Sequence, residues 1–377
     1  MKRVIGFGVV LLLSVLLFSP SSSAQAQAIE NELYLITPVS KDVHDPALKA
    51  FAAYAKKKWN LDLKTSAIPK GTPQCYGQIL EWKGRPQADV FWGGEGTLFD
   101  NLAAEKLLDP LKISKKMSNE IPATIGKPVG LPLKDPKGFW VGTTLEPYGL
   151  IYQPKLLQRL GVTIKTWDDL LNPKLKGQIA QCTPDRSSSS HASYEVMLQT
   201  YGWDKGWDWL KKLAANTGIF TARSRDVPNV VSKGEFAVGF AVPSYMAFAE
   251  VLAGYDVMFV YPPNAYVTPE PIAVLKGAPH PKAGQAFIEF LLTEEGQKLF
   301  SGLGLYPITP KFKVQGPAGS KQEMTVKFTG GMRSFFDIPV GNVYDDKIAG
   351  PKKRIEEVNA YFRKEIAEKH KDLVRQK

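Results

Sequence analysis

Cysteine and histidine are scarce in this chain of 377 residues, which contains two of the first and four of the second. The histidines are scattered, and no Cys, His and carboxylate residues recur at the spacing of metal ligands, so the sequence predicts neither a dedicated metal site nor a bound cofactor. Internal repeats of about 20–50 residues and a G-x-G-x-x-G fingerprint are also missing. These absences exclude a solenoid and argue against a dinucleotide-binding domain.

Long apolar runs are confined to the N-terminus. Lys2 and Arg3 precede an apolar stretch over residues 4–18, and small residues follow as far as Ala28. This is the three-part layout of a secretory signal, and its apolar core is shorter than the roughly 20 residues of a membrane-spanning helix. We therefore expect residues 1–26 to be a cleavable signal peptide, and the mature protein to be exported into a bacterial periplasm.

Basic residues outnumber acidic ones by 48 to 37, which gives a formal net charge of +11. The excess is spread along the chain, apart from Lys56–Lys58 and the C-terminal tail. In the tail, acidic residues such as Glu356 and Glu365 alternate with the basic ones, a pattern typical of a solvated helix face. We therefore expect no nucleic-acid partner, although a modest positive field favours anionic ligands.

Strand-like and helical segments alternate along most of the chain. Strands are predicted near residues 32–36, 61–68 and 88–92, and each leads through a loop into a helix. This repetition predicts an α/β fold with a doubly wound sheet, in which ligands bind at the carboxyl ends of the strands. The chain is also longer than one hydrophobic core usually serves, so two lobes are expected.

Two segments are interpreted as crossings between these lobes. A second β/α series begins after Phe139–Thr144, and apolar alternation resumes near Thr268–Leu275. Cys75 and Cys182 then precede ligand-facing segments of different lobes, and because a bond across the cleft would lock it, we expect unpaired thiols. The expected division is two doubly wound lobes joined by a hinge: lobe one over 27–144 plus 268–310, and lobe two over 145–267 plus 311–377.

The most informative motif is a serine run that leads into a helix. Arg186 and Ser187–Ser190 are followed by His191, and apolar residues then recur at three- and four-residue spacing. Consecutive serines at a helix start offer hydroxyls, free backbone N–H groups and the positive end of the helix dipole, which together bind anions. Arg186 adds a bidentate contact to phosphate or carboxylate. The alternative is a plain serine N-cap in a polar loop.

Several fragments together resemble a known protein family. Phe287–Gln297 and the following Gly304–Pro307 are similar to the signature of type II extracellular solute-binding proteins of ABC importers. Ala88–Trp92, Trp167–Leu171 and Gly234–Gly239 resemble its ferric-iron-binding branch, and the order of the fragments holds over nearly the whole mature chain. The resemblance implies a monomer of two α/β lobes, joined by a hinge, that closes on a ligand and presents it to a membrane permease.

The resemblance also bears on the ligand. Iron-binding members carry a Tyr-Tyr pair just after the Ala-Val-Gly strand, whereas this chain has Val242-Pro243-Ser244-Tyr245 there. The Arg186-Ser187 pair with His191, together with Arg223-Ser224, is instead similar to phosphoglycerate- and sugar-phosphate-binding members. Some of those relatives carry an acidic residue where Pro243 stands. The resemblance therefore implies a phosphorylated ligand and leaves the recognition of its other end open.

We predict that the protein binds a small organophosphate or a similar oxyanion and is not an enzyme. Arg186, the serine amides and the loop at residues 223–225 are expected to hold the anionic group, and the other lobe to close over the remainder. The predicted ligand-binding residues are Thr37, Ser40, Trp92, Gly93, Gly94, Glu95, Arg186, Ser187, Ser188, Ser189, Ser190, His191, Arg223, Ser224, Arg225, Asp226, Ser244 and Tyr245.

Two alternatives stay open. A ferric ion would bind through Tyr245, Glu95 and a carried anion. An enzyme on the same bilobal architecture would use Cys182 as its nucleophile, with His191 as the only base assignable to it. For Trp92, Glu95, Asp226 and Tyr245, ordinary loop packing is as well supported by the sequence as contact with a ligand.

Overall fold

The structure, a computed structural model, describes residues 28–263, 265–311, 341–342 and 344–374. The predicted signal peptide, residues 1–26, therefore lies outside the described residues. Parts of the C-terminal segment assigned to lobe two also lie outside them.

Most β-strands of the structure are short, and two longer ones run through its centre. In chain order the strands are β1 (Glu32–Thr37), β2 (Lys64–Pro69), β3 (Val90–Trp92), β4 (Leu108–Asp109), β5 (Thr124–Ile125), β6 (Lys127–Pro128), β7 (Leu131–Pro132), β8 (Val141–Tyr152), β9 (Ile179–Cys182), β10 (Thr217–Thr221), β11 (Val238–Pro243), β12 (Met258–Val260), β13 (Val267–Leu275), β14 (Tyr306–Pro307) and β15 (Gly341–Asn342).

The helices alternate with the strands over most of the chain. They are α1 (Lys41–Trp59), α2 (Thr72–Trp82), α3 (Gly96–Ala104), α4 (Lys115–Glu120), α5 (Pro154–Leu160), α6 (Ser188–Tyr201), α7 (Trp203–Asn216), α8 (Asp226–Ser232), α9 (Ser244–Leu252), α10 (Pro281–Leu291), α11 (Glu294–Gly302), α12 (Asp346–Ala349) and α13 (Lys352–Phe362), with further helical turns at Asp168–Leu171, Pro173–Leu175, Arg363–Ala367 and Glu368–Leu373.

The main sheet has the strand order β10-β9-β11-β8-β13-β3-β1-β2. Pairing is parallel at each end, between β1 and its neighbours β2 and β3 and between β9 and its neighbours β10 and β11. The central strands β8 and β13 pair with each other and with the flanking strands in antiparallel fashion. Two parallel units, the β1 unit and the β9 unit, are thus joined by two long antiparallel strands.

The central strands are buried almost completely, because helices or other strands cover both of their faces. Every residue of β13 is buried, and in β8 only Tyr152 is partly exposed. On the β1 unit, Phe51 of α1 packs against Phe287 and Phe290 of α10, with ring centroids 5.3 and 5.6 Å apart. This α/β architecture, with alternating strands and helices, confirms the predicted fold class, whereas the lobe boundaries stay a prediction.

The C-terminal segment packs on helices α6 and α7 of the β9 unit. Arg354 of α13 donates to both carboxylate oxygens of the fully buried Glu195 of α6, at 2.7 and 3.3 Å, and its guanidinium lies 4.5 Å above the ring of Trp203. Trp207, fully buried, packs against Tyr361 with ring centroids 4.4 Å apart and the ring planes tilted by 31°. The tryptophans of α7 therefore belong to the core, as their helical spacing predicts.

Over the described residues, no helix is both long and apolar enough to cross a bilayer.

Candidate ligand-binding site

A cleft of about 710 Å³, part of it open to solvent, lies between the β1 and β9 units. Its walls come from loops that follow strands, from helix starts and from the two central strands, which is where an open α/β sheet places its ligands. The lining residues are Pro38, Val39, Pro69, Lys70, Gly71, Thr72, Gly94, Glu146, Tyr148, Arg186, Ser187, Ser188, Ser189, Arg223, Ser224, Arg225, Tyr245, Met246 and Glu270.

One end of the cleft, called here the basic end, is built on the N-terminus of α6. Ser187 is the N-cap of α6 and has an extended conformation. The N–H of His191 makes the first i to i−4 hydrogen bond of the helix, to the Ser187 carbonyl at 2.9 Å. The N–H groups of Ser188–Ser190 therefore precede the hydrogen-bond ladder of the helix. Because they lie at the positive end of the helix dipole, they form an anion-binding point.

The N-terminus of α2 faces the N-terminus of α6 across the cleft. Gly71 is the N-cap of α2, and the hydroxyl of Thr72 lies 3.1 Å from the hydroxyl of Ser188. A Cβ placed on Gly71 would lie 3.5 Å from the Arg186 carbonyl oxygen. The β1 and β9 units thus touch here through two helix starts, each with its positive dipole end toward the same space.

Arginines complete the basic end. The loop at residues 223–225 is fixed by two hydrogen bonds, in which the Arg223 N–H donates to Asp226 Oδ2 at 3.1 Å and Thr221 Oγ1 donates to the Arg223 carbonyl at 2.8 Å. Among the described residues, no carboxylate forms an ion pair with Arg223 or Arg225. Their guanidinium groups are therefore available for a charged hydrogen-bond acceptor such as a phosphate.

The opposite end, called here the carboxyl end, contains two buried glutamates. Glu146 of β8 and Glu270 of β13 are 5% and 8% exposed. Glu270 Oε1 accepts the N–H of Gly94 at 3.0 Å, and Tyr148 donates its hydroxyl to Glu146 Oε2 at 3.3 Å. Burial raises the pKa of both carboxyls, and the neighbouring Glu270 raises that of Glu146 as well, whereas hydrogen bonds from Glu146 and from the Gly94 N–H act to lower that of Glu270. Such a pair shares a proton, since two adjacent buried carboxylates do not both ionise.

Two glycines make room for Glu270. Gly93 and Gly94 have φ angles of +105° and +112°, a region that favours glycine. A Cβ on Gly93 would lie 2.7 Å from Glu270 Oε1, so a side chain there would collide with the carboxylate. Two adjacent glycines are typical of a tight turn or of a close approach to a ligand. Here they bring the backbone close to Glu270.

Tyrosines connect the two ends of the cleft. Tyr148 stacks on Tyr266 with ring centroids 4.4 Å apart, and its hydroxyl lies 3.3 Å from the hydroxyl of Ser189 at the start of α6. Tyr266 donates its hydroxyl to the Ser189 carbonyl at 3.1 Å. Tyr245 of α9 is 5% exposed and lines the cleft, and within the described part of the chain its hydroxyl has no hydrogen-bond partner. Its phenol is therefore free to bond a ligand.

Half of the predicted residues line the cleft. They are Gly94, Arg186, Ser187, Ser188, Ser189, Arg223, Ser224, Arg225 and Tyr245. Most belong to the two arginine- and serine-containing segments that the sequence singles out, so the structure brings those segments together although 33 or more positions separate them along the chain.

The other predicted residues do not line the cleft, and several of them make contacts within the protein. Thr37 donates to the Trp92 carbonyl at 2.7 Å, and the Trp92 indole donates to Thr143 Oγ1 at 3.1 Å, inside the core. Ser40 is the N-cap of α1, and Asp226 fixes the loop before α8. The remaining residues of this group, which are buried behind the lining or beside it, are Gly93, Glu95, Ser190, His191 and Ser244.

His191 and Glu95 lie behind the cleft, against the C-terminal segment. His191 is 3% exposed, with Nε2 3.2 Å from the Ala349 carbonyl, and burial lowers the pKa of its imidazole. Burial also raises the pKa of Glu95 to about 8, with Asp346 and Glu195 adding to the effect. Both side chains are therefore favoured in their neutral forms, which weakens their predicted role as partners of a charged ligand.

Sequence reasoning missed the carboxyl end and the start of α2. Glu146, Tyr148 and Glu270 lie within buried strands that are 115 or more positions apart. Lys70 lies in the loop before α2, and Thr72 is the first residue of that helix. A signal for the glutamates exists, because each is an acidic residue followed by proline inside an otherwise apolar strand. Ionisable residues are rarely buried without a partner or a function.

Within the described ranges, neither the two thiols nor the side chains that commonly bind metals form a reactive cluster. Cys75 and Cys182 are both free and buried, as expected, and burial raises the pKa of each thiol to about 12. A thiol with so high a pKa is a poor nucleophile at neutral pH, which disfavours catalysis at Cys182. Across the described ranges, no group of three or more His, Cys, Asp or Glu side chains is arranged to hold a metal ion.

The fold and the cleft together define a binding protein with its site between two units. The model of the bacterial extracellular solute-binding protein family matches residues 49–324, more than half of the chain. The chain therefore belongs to that family. Its fold is shared by the periplasmic binding protein AfuA from Actinobacillus pleuropneumoniae, solved with fructose-6-phosphate bound, with a TM-score of 0.73, 21% identity, and coverage of 89% of this chain and 98% of that one.

Relatives by sequence have different ligands in their names. The phosphoglycerate transport regulatory protein PgtC of Salmonella typhimurium is 30% identical over 159 residues, which are 42% of this chain and 39% of that protein. The major ferric iron-binding protein of Neisseria meningitidis serogroup B is 27% identical over 288 residues, 73% of this chain and 83% of that protein. The match to the first relative thus spans well under two thirds of its length.

Proposed function

We propose that this protein is the solute-binding component of an ABC importer and captures a small phosphorylated organic anion in the bacterial periplasm. It acts as a monomer, closes on the ligand and passes it to a membrane permease. The observation that carries the proposal is the basic end of the cleft, where Arg186, Arg223 and Arg225 meet the N-termini of α2 and α6.

Charge favours a phosphate group at the basic end. Four cationic side chains line the cleft (Lys70, Arg186, Arg223 and Arg225), whereas the carboxyl pair bears a single negative charge when it shares a proton. A phosphate monoester carries a charge of about −1.5 to −2 at neutral pH and offers three acceptor oxygens. Guanidinium groups and helix-start N–H groups match those oxygens by charge-assisted hydrogen bonds.

Contact between the β1 and β9 units supports closure on the anion. The hydroxyls of Thr72 and Ser188, 3.1 Å apart, place the start of α2 beside the start of α6. An anion held between these two helix starts interacts favourably with both units at once, so it stabilises the closed arrangement relative to an open one. β8 and β13, which join the units, are the strands about which they would move.

A ferric ion is a second candidate, and one observation favours it. The carboxyl end gathers hard oxygen donors from Glu146, Glu270, Tyr148 and Tyr245 in one cleft, next to an anion-binding point. Oxygen ligands of this kind suit hard cations. Against it, burial and the neighbouring carboxylates raise the pKa of both phenols, so the ion would have to displace their protons.

A thermal-shift screen of the exported chain tests the proposal. The panel contains glycerol 3-phosphate, fructose 6-phosphate, 3-phosphoglycerate, inorganic phosphate and ferric citrate. A ligand at 100 times its dissociation constant adds about 2.7 kcal/mol to the free energy of unfolding, which raises the melting temperature measurably. We expect phosphate esters to stabilise the protein, and stabilisation by ferric citrate alone would select the iron candidate.

The arginine beside α6 provides the matching variant. Arg186→Ala removes one charge-assisted contact, of about 1.5–3 kcal/mol, and should weaken phosphate-ester binding about 10- to 100-fold in a calorimetric titration. Arg159→Ala, at an exposed position on α5, is the control and should bind like the native protein. Native affinity in the Arg186→Ala protein would overturn the proposed function.

A further inference from the structure

We infer that Glu146 and Glu270 determine specificity by binding hydroxyl groups of the ligand, so that the solute is a phosphorylated polyol. The inference rests on the proposed function, because it concerns the end of the ligand away from the phosphate. The two glutamates are not among the residues that the sequence predicts to bind ligand.

Geometry places both glutamates on one wall of the cleft. In the register of the central strands Glu146 lies opposite Thr268, and Glu270 follows two residues later on β13, where the pairing is irregular. Each is more than nine-tenths buried and lines the cleft. Tyr245, equally buried, adds a hydroxyl that lacks a partner among the described residues.

Hydrogen bonds assign different states to the two carboxyls. The backbone N–H of Gly94, 3.0 Å from Glu270 Oε1, favours a negative charge on Glu270. Among the described residues, Glu146 accepts from the Tyr148 hydroxyl and from no backbone N–H, so the shared proton lies mainly on Glu146. The pair therefore presents one acceptor carboxylate and one carboxylic acid side by side.

Such a pair suits a hydroxyl better than an ammonium group. A hydroxyl both donates and accepts, and so matches an acid and a carboxylate together, whereas an ammonium only donates. The groups that face the pair are the phenols of Tyr148, Tyr245 and Tyr266, with the Arg225 guanidinium near enough to act on Tyr245. With that guanidinium and three other cations lining the same cleft, a further positive charge would be repelled.

Isothermal titration with matched probes tests the inference. Propyl phosphate supplies the phosphate alone, glycerol 3-phosphate adds hydroxyls, and O-phosphoethanolamine adds an ammonium. We expect glycerol 3-phosphate to bind at least tenfold more tightly than propyl phosphate, and O-phosphoethanolamine to bind no more tightly than propyl phosphate. A tenfold preference for O-phosphoethanolamine would overturn the inference.

Two amide variants assign the effect to the pair. Glu270→Gln removes the charge and should reduce the preference for glycerol 3-phosphate over propyl phosphate to less than threefold, with inorganic phosphate bound as before. Glu146→Gln keeps a donor where the shared proton lies, so it should retain the preference. Glu289→Gln, an exposed position on α10, is the control.

The outcomes separate this inference from the proposed function. An undiminished hydroxyl preference in a folded Glu270→Gln protein would overturn the inference while leaving phosphate binding intact. Failure of every phosphate probe to bind the native protein would overturn the proposed function and the inference with it. If Glu270→Gln does not fold, the native protein decides: glycerol 3-phosphate bound no more tightly than propyl phosphate would overturn the inference, and a tenfold preference would support it.

Discussion

The two ends of the cleft differ in how the chain builds them. The basic end consists of local segments, in which the residues at 186–190 and 223–225 each follow one another at the start of a helix. The carboxyl end joins Glu146 and Glu270, which lie on two strands of the central pair and are 124 positions apart.

This difference has an energetic counterpart. The basic end holds charged groups at the cleft surface, where a ligand can replace water on guanidinium and N–H groups with little rearrangement. The carboxyl end holds two acids more than nine-tenths buried, which would be unfavourable there as separate charges. Affinity for the anion is therefore expected from the first end, and discrimination between solutes from the second.

The largest expected effect on ligand affinity comes from removing two arginines of the basic end. The double variant Arg223→Ala/Arg225→Ala removes two charge-assisted contacts of about 1.5–3 kcal/mol each, so phosphate-ester affinity should fall at least about 100-fold by calorimetry. The preference for hydroxylated over plain phosphate esters should persist in whatever binding remains. Arg159→Ala/Lys233→Ala, at two exposed positions, is the control, and a loss below threefold in the cleft variant would contradict the assignment.

A stability measurement distinguishes Glu95, which is buried behind the cleft, from the glutamates of the carboxyl end. Burial raises the pKa of Glu95 to about 8, above its unfolded value near 4.3, so the folded protein binds more protons between these values. The free energy of unfolding should therefore fall as the pH rises from 5 to 8. Glu95→Gln should flatten this decline by about 2 kcal/mol or more in urea titrations while leaving ligand affinity unchanged. If the dependence of the free energy of unfolding on pH is the same in Glu95→Gln, the raised pKa of Glu95 is contradicted.

A smaller change probes the carboxyl end directly. Tyr245→Phe deletes one neutral hydroxyl, and a hydrogen bond of this kind contributes about 0.5–1.5 kcal/mol. Binding of glycerol 3-phosphate should weaken about threefold to tenfold, whereas binding of inorganic phosphate should not change. Equal weakening of both ligands would place the phenol at the basic end and remove the contrast between the two ends.

The smallest expected effect concerns the contact between the two units. Thr72→Val keeps the shape of the side chain but removes the hydroxyl that lies 3.1 Å from Ser188 Oγ. Because this bond forms only when the units meet, its loss should raise the dissociation rate about twofold to fivefold in stopped-flow experiments, with little change in association. Thr124→Val, at an exposed position, is the control, and a slower association in place of faster dissociation would argue against a closing contact.

The sequence predicts local features well. Alternating apolar segments indicate the α/β fold because strands and helices impose different periods, and the serine run indicates the anion site because a helix start is built by adjacent residues. Tyr245 also lines the cleft, since it follows closely on a strand that ends there.

Features that depend on the packing of distant segments could not be predicted in the same way. His191 lies next to the serine run in sequence, yet the C-terminal segment covers it, and the Ala349 carbonyl accepts a hydrogen bond from its Nε2. Trp92 ends a strand at the cleft, but its ring turns into the core to reach Thr143. A residue at the end of a strand can reach a ligand only if no other segment covers it. The covering segments are distant in sequence, so the tertiary structure is needed to identify them.

The most direct test of the central claim is a calorimetric comparison of a phosphate ester with its two parts. The native protein is titrated with glycerol 3-phosphate, with inorganic phosphate and with glycerol. If the basic end holds the phosphate and the carboxyl end holds the hydroxyls, the ester should bind at least about 100-fold more tightly than either part, because one molecule then makes both sets of contacts. An ester that binds no more tightly than inorganic phosphate would contradict a site with two ends.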